Sequence, residues 1–173
     1  MQDFGKQENT LKNPRSDRIA LVSAPWPMFN RPSLQLGVLK SYLNSIYPDL
    51  TVCCHHFFLR LAKTVGYPVY QALSRSTWPA ESIYAALLYP ERVGVVRRFF
   101  AHQAKAATDL AGIDFSALIR RVKAETDAFI DETDWQAFDL AGFSVCLCQL
   151  TASLYLIREI RRKVPHLPFI IGG

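Results

Sequence analysis

The sequence predicts an α/β fold: a doubly wound parallel sheet of about four strands, carrying a long helical insertion between strands two and three. Three observations predict it. Four short, nearly uninterrupted apolar runs ("RIALVSAP", "LTVCCHHF", "DLAGFSVC" and "LPFIIGG") have the character of strands buried on both faces. A segment of helical periodicity separates the first two runs and another separates the last two, giving strand–helix–strand at each end of the chain. The middle interval of roughly 80 residues far exceeds the dozen or so that a parallel crossover needs.

Each element has its own justification. Residues 1–18, "MQDFGKQENTLKNPRSDR", are polar and mixed in charge, and read as a flexible tail ahead of a domain at 19–173. After strand one, "SLQLGVLKSYLNSIYP" reads as a helix capped by Ser33, with Leu34, Val38, Leu39, Tyr42, Leu43 and Ile46 on one inward stripe. The insertion spans about 60–137. In it, "YPVYQALSRS" starts with Pro68 near a first turn, and "TWPAESIYAALLYPE" starts at a Thr77 cap and stops at Pro90. Its clearest stretch, "DFSALIRRVKAETDAFIDETD", keeps Phe115, Leu118, Ile119, Val122, Phe129 and Ile130 on a 3.6-residue period, for packing on one side of the sheet. Between the last two strands, "LTASLYLIREIRRKV" reads as a helix with Leu150, Leu154, Ile157 and Ile160 inward.

Composition narrows the function. Half of the 173 residues are hydrophobic, as a packed domain requires. The net charge of +5 comes mainly from clusters such as Arg97-Arg98, Arg120-Arg121-Val122-Lys123 and Arg161-Arg162-Lys163. These sit on helical segments without interleaved aromatic residues, so they read as solvated faces and argue against nucleic acid. The chain lacks the apolar core of a signal peptide and the roughly 18 apolar residues of a membrane helix. A soluble, cytoplasmic protein is expected, with its four cysteines reduced.

In open α/β sheets the ligand lies beyond the carboxyl ends of the strands, at the switch in strand order. "APWPMFNRPS", "CLCQLTAS" and the terminal "GG" fall there. A phosphoryl-receiver site needs carboxylates where this chain has Ala24-Pro25 and Val145-Cys146. A dinucleotide fingerprint or P-loop needs glycines in the first loop, and none lies between Ser23 and Leu36. A flavin phosphate would want a run of hydroxyls there, and only Ser33 qualifies. In "CCHH", period-two alternation sends Cys53 and His55 to one face and Cys54 and His56 to the other, so the four do not converge on an ion. Nor is a histidine placed to activate Cys148 as a nucleophile. What remains is a large, mostly apolar ligand gripped by prolines, aromatics and backbone. Gly37, inside a helix, reads either as close approach to that ligand or as close packing of the helix on the sheet.

"ALVSAPWPMFNRPSLQLGVLKSYL", followed by "GFSVCLCQLTASLYLIREIRRKVPHLPFIIGG", resembles the amino-terminal cobalamin-binding region of B12-dependent radical S-adenosylmethionine enzymes. The nearest likeness is to the ribosomal-peptide maturation subgroup, many of them C-methyltransferases. The resemblance implies a flavodoxin-like or Rossmann-like sheet. It also implies a slot for the dimethylbenzimidazole tail of cobalamin, lined by Ser144 at the end of strand three and by Gly172 and Gly173 after strand four. Around that slot the three loops offer Trp26, Pro27, Phe29, Asn30, Arg31, Ser33, Gly37, Val145, Cys146, Gln149 and Ser153 as cofactor-binding candidates.

The cobalt-ligating Asp-x-His-x-x-Gly motif of many cobalamin carriers is missing from "PWPMFNRPS", and none of His55, His56, His102 and His166 reads as lying in a loop at the ligand edge. The resemblance therefore implies base-off cobalamin with no protein histidine on cobalt. None of the cysteines has the Cys-x3-Cys-x2-Cys spacing that holds a [4Fe–4S] cluster, so the cluster and S-adenosylmethionine are expected in another part of the parent enzyme. The chain is expected to be a truncated or split module, lacking a fifth strand and not catalytic alone. A separate radical S-adenosylmethionine barrel subunit and a precursor peptide are its expected partners. The competing reading is a cofactor-free interaction domain that holds a peptide or partner subunit through the helical insertion.

Overall fold

The structure, a computed structural model, describes residues 17–105 and 108–173. Four strands, β1 (Arg18–Ser23), β2 (Thr51–His55), β3 (Leu140–Ser144) and β4 (Phe169–Gly172), form one sheet in the order β2-β1-β3-β4. Every neighbouring pair is parallel. The predicted α/β class and doubly wound parallel sheet are therefore observed. Strand β1 begins at Arg18, inside the span expected to be tail. Residues 1–16 of that expected tail lie outside the described residues.

The chain runs outward from β1 to β2, then returns to β3 on the other side of β1 and continues to β4. The switch point thus lies between the carboxyl ends of β1 and β3, where Ser23 pairs with Ser144. Side-chain alternation divides the core unequally. Leu21 and Val52 pack with Leu36 of α1 (Leu34–Ile46) on one face. On the other face Ala20, Val22, Ala141 and Phe143 join a much larger cluster formed with the insertion and with α7 (Leu150–Lys163).

Five α-helices make up the insertion: α2 (Phe57–Val65), α3 (Tyr67–Ser74), α4 (Thr77–Leu88), α5 (Val93–Ala104) and α6 (Phe115–Glu132). It begins at Phe57 rather than near residue 60, because "FFLRLAKTV" turns helical directly after β2. Pro68 stands in the first turn of α3 as expected, whereas Ser76, not Thr77, occupies the cap position of α4. Helix α6 is capped by Asp114, whose carboxylate accepts from the Ser116 and Ala117 N–H groups at 2.9 and 3.0 Å. Its predicted stripe faces the domain core, with Ile119 half-buried and the other five residues buried.

Two predicted stripes need correction. On α1, Leu34, Val38, Leu39, Tyr42 and Ile46 are exposed; Leu36 is buried and Leu43 half-buried against it. Apolar residues cover roughly half of that helix's circumference at about 100° per residue. The sheet takes the edge of the arc marked by Leu36 and Leu43, and the rest faces outward. On α7, Ile157 and Ile160 are buried as expected, but Leu150 and Leu154 lie beyond the rim of a buried arc that runs through Tyr155, Leu156 and Ser153.

Several basic residues of the charge clusters are paired on helix faces, Lys123 with Asp127 and Arg162 with Glu159, at 2.5 and 2.8 Å. Lys163 pairs with Asp131. Among the described residues, no helix is long and apolar enough to cross a membrane.

Candidate functional site

Ser23, Ser144 and Gly172 end three neighbouring strands in register. Alternation puts them on the same face as Leu21, Gly142 and Ile170, the face that α1 only partly covers. Two adjoining chambers open there.

The first, of about 240 Å³, lies between α1 and the ends of β3 and β4. Its walls are mainly apolar: Leu21, Leu36, Leu39 and Ile170, with Gly142, Ser144, Gly172 and Gly173 supplying small residues. The glycines have different reasons to be glycine. A Cβ on Gly172 would meet nothing within 4 Å, so it keeps the chamber open rather than relieving a clash. On Gly173 a Cβ would overlap the Val145 carbonyl oxygen, so close backbone approach excludes any larger residue. On Gly142 it would stand 3.1 Å from Leu21 Cδ2, inside the chamber wall.

The second chamber, of about 190 Å³, lies over the switch point. Ser23, Arg31, Ser33, Gln35, Ser144 and Gln149 supply its polar lining, with Pro27, Met28, Pro32, Phe58 and Cys146 completing it. Gln35 and Ser144 border both chambers. Ser33 caps α1, accepting weakly from the Leu36 N–H at 3.5 Å. Gln35 donates to the Cys146 thiol sulfur, also at 3.5 Å.

Two side chains fix the loops around these chambers. Gln149, buried, donates from Nε2 to the Ala24 carbonyl at 2.5 Å and accepts on Oε1 from the Cys146 N–H at 2.9 Å. The loops after β1 and β3 are thereby tied together. Glu81, from the insertion, accepts from the Leu150 and Thr151 N–H groups at 3.1 and 2.9 Å. Its carboxylate occupies the amino terminus of α7, where an anionic ligand group would otherwise be favoured.

Of the predicted cofactor-binding residues, Pro27, Arg31, Ser33, Ser144, Cys146, Gln149, Gly172 and Gly173 line the chambers. The others do not. Trp26 is buried against Tyr70 and Tyr84 and donates from its indole to the Ala80 carbonyl at 3.1 Å, which makes it the anchor of the insertion. Phe29 packs on Tyr67, with ring centroids 4.8 Å apart. Asn30 points to solvent. Gly37 is exposed, and a Cβ there would meet nothing within 4 Å, so close packing on the sheet is not its reason. Val145 packs its side chain on the large core and contributes backbone alone, donating to the Gly172 carbonyl at 2.8 Å. Ser153 faces the core with its hydroxyl unpaired.

Sequence reasoning passed over Ser23 and Gly142. Ser23 is the one hydroxyl in β1, and Gly142 interrupts an otherwise side-chain-rich β3; both signals were present but pointed to no motif.

The histidine placement also needs correction, since His55 and His56 stand at the carboxyl end of β2, on the ligand edge of the sheet. They line a separate cleft with Cys54, Arg60 and Glu132. His55 sits among Phe129, Trp135 and Phe138 with ring centroids 5.7–5.8 Å away, and burial, followed by the neighbouring His56, holds its pKa below the usual imidazole value. Among the described residues, no group of three or more histidine, cysteine, aspartate or glutamate side chains is arranged to hold a metal. All four cysteines are free. Cys148 is buried with φ of 67°, and burial pushes its thiol pKa up, which removes the nucleophile reading.

Comparison of the chain with protein-family models, with curated proteins and with solved structures gave no match.

Proposed function

We propose that this chain is a cobalamin-binding module serving a B12-dependent radical S-adenosylmethionine enzyme that transfers methyl groups to a peptide. One observation carries the reading. Ser144, Gly142 and Gly172 bring small side chains to one apolar chamber at the ends of adjacent strands, beside the switch point. A flat two-ring heterocycle needs such a slot, and at about 240 Å³ the chamber suits the dimethylbenzimidazole tail and is too small for a corrin. Leu21, Leu36 and Leu39 would hold the faces of the ring, and the Ser144 hydroxyl would meet a ring nitrogen. Cobalamin, when bound, supplies a cobalt centre that carries the methyl group. The chain's own residues bind and orient it, while the iron–sulfur cluster, S-adenosylmethionine and a precursor peptide belong to a partner barrel.

Equilibrium dialysis against hydroxocobalamin tests the proposal. Saturable uptake by the unsubstituted chain, lost in Gly172→Leu because the leucine fills the chamber, is the expected result. A folded unsubstituted chain that takes up no cobalamin would sink it, and unchanged uptake by Gly172→Leu would put the tail elsewhere.

The interaction-domain reading draws on one feature of the insertion. Trp78 and Phe99 are exposed side chains with ring centroids 6.3 Å apart, and Phe99 follows the exposed Arg97 and Arg98 on α5. An acidic peptide with an apolar anchor would suit that surface, and failure of cobalamin uptake would favour it.

A further inference from the structure

We infer that the polar chamber over the switch point is an anion subsite, and that it takes the phosphate of a phosphate-ester ligand whose ring enters the apolar chamber. The identity of that ligand rests on the cobalamin reading, whose nucleotide tail joins a heterocycle to a phosphodiester. The chemistry of the subsite does not.

Among the described residues, no carboxylate lines the chamber, and its one charged side chain is Arg31. Arg31 makes no ion pair among the described residues, and its guanidinium presents several donors to an oxyanion. The amino terminus of α1 lies at the same place. Ser33 takes the Leu36 and Gly37 N–H groups through its hydroxyl and carbonyl, which leaves Leu34 and Gln35 as first-turn N–H donors without a partner among the described residues. Helix ends of this kind favour negative charge.

Ser23 supplies an independent observation. It is 2% exposed, yet it lines the chamber, and its hydroxyl has no hydrogen-bond partner among the described residues. Its parity with Leu21 sends the side chain toward α1. A buried hydroxyl left open to a small polar space, with Ser144 beside it in register, is a donor awaiting an acceptor. Hydroxyls from the end of β1, the cap of α1 and the end of β3 thus converge, although no single loop holds a run of them. The amino terminus of α7, at the same edge, is closed to an anion, since Glu81 fills it. Size agrees as well: about 190 Å³ accommodates a phosphate.

The test uses inorganic phosphate on the whole chain, followed by amide chemical shifts in 15N-labelled protein at constant ionic strength. Saturable shifts at Leu34, Gln35 and Ser144 are expected. Arg31→Ala and Ser23→Ala should each weaken phosphate by about tenfold, the loss of one hydrogen bond to a charged group. Arg162→Ala, at the far end of α7, should leave it unchanged. Absence of saturable shifts, or shifts equally strong in Arg31→Ala, would overturn the subsite. A second arm compares hydroxocobalamin with cobinamide, which lacks both phosphate and base. Phosphate that binds and competes with cobalamin assigns the subsite to the nucleotide tail. If phosphate binds but cobalamin is not taken up, the subsite stands and serves another phosphate ester, while the cobalamin reading falls. Cobalamin uptake that is indifferent to phosphate and to Arg31→Ala would overturn the assignment of the subsite to the nucleotide tail and leave the cobalamin reading intact.

Discussion

Gln149 reaches across the sheet edge to Ala24, its amide donating to the Ala24 carbonyl at 2.5 Å while its oxygen holds the Cys146 N–H. Two ligand-edge loops, 125 residues apart in sequence, are set by this one side chain. Gln149→Leu strands the buried Ala24 carbonyl and frees a part-buried Cys146 N–H, so it should lower unfolding free energy by roughly 1–3 kcal/mol. Urea denaturation measures this. An unchanged midpoint would mean that water replaces both bonds.

Tyr70 gives the opposite sign. Its ring packs on Trp26 with centroids 5.1 Å apart, but its hydroxyl is buried without a partner among the described residues, and burial drives its pKa far above the usual phenol value. Tyr70→Phe removes the orphan and keeps the ring, so stability should rise by up to about 1 kcal/mol. Tyr84 is the control, because its hydroxyl shares a 2.9 Å bond with Thr126, and Tyr84→Phe should lose stability.

His55 should make stability depend on pH. Its folded pKa is depressed by burial, so the neutral ring is the form that the aromatic cluster accepts. The contribution is complete above the unfolded value of about 6.5 and declines as pH falls below it. Chemical denaturation between pH 8 and pH 5 should show this slope, and His55→Leu should flatten it. A slope preserved in the variant would move the effect to another group.

If the proposed cobalamin binds, its cobalt should carry no protein nitrogen. Neither chamber is lined by a histidine, and His55 is enclosed by rings on the other face of the sheet. Electron paramagnetic resonance of bound Co(II) cobalamin should therefore lack superhyperfine splitting from a coordinated nitrogen. Splitting that disappears in His56→Ala would establish a histidine ligand. Splitting that survives would mean that the cofactor's own base is bound.

The fold was legible because strand runs and helix periods are local signals. The four strands, the capping serine of α1 and the inward stripe of α6 follow from them directly. Facing was less legible. Where apolar residues cover half a helix, as on α1, only the position of the sheet decides which of them are buried. The site was legible in its small residues, Ser144 and Gly172, and illegible in its hydroxyl cluster. Ser23, Ser33 and Ser144 meet only through strand register, and no spacing along the chain records that meeting. Trp26 misled for a related reason, since a loop aromatic near a ligand edge can equally anchor a neighbouring layer, as it does through Ala80.

Helix α1 rests on the thinner of the two cores, where its one buried residue, Leu36, packs on Leu21 and Val52. Such an element opens locally at a lower free energy than the rest of a domain. Its amides should exchange with solvent well before those of α4 or α6, which are held by the large cluster. A ligand wedged between α1 and β3 would then act as a keystone, its binding read as slowed exchange along a helix that it touches only at one end and one flank.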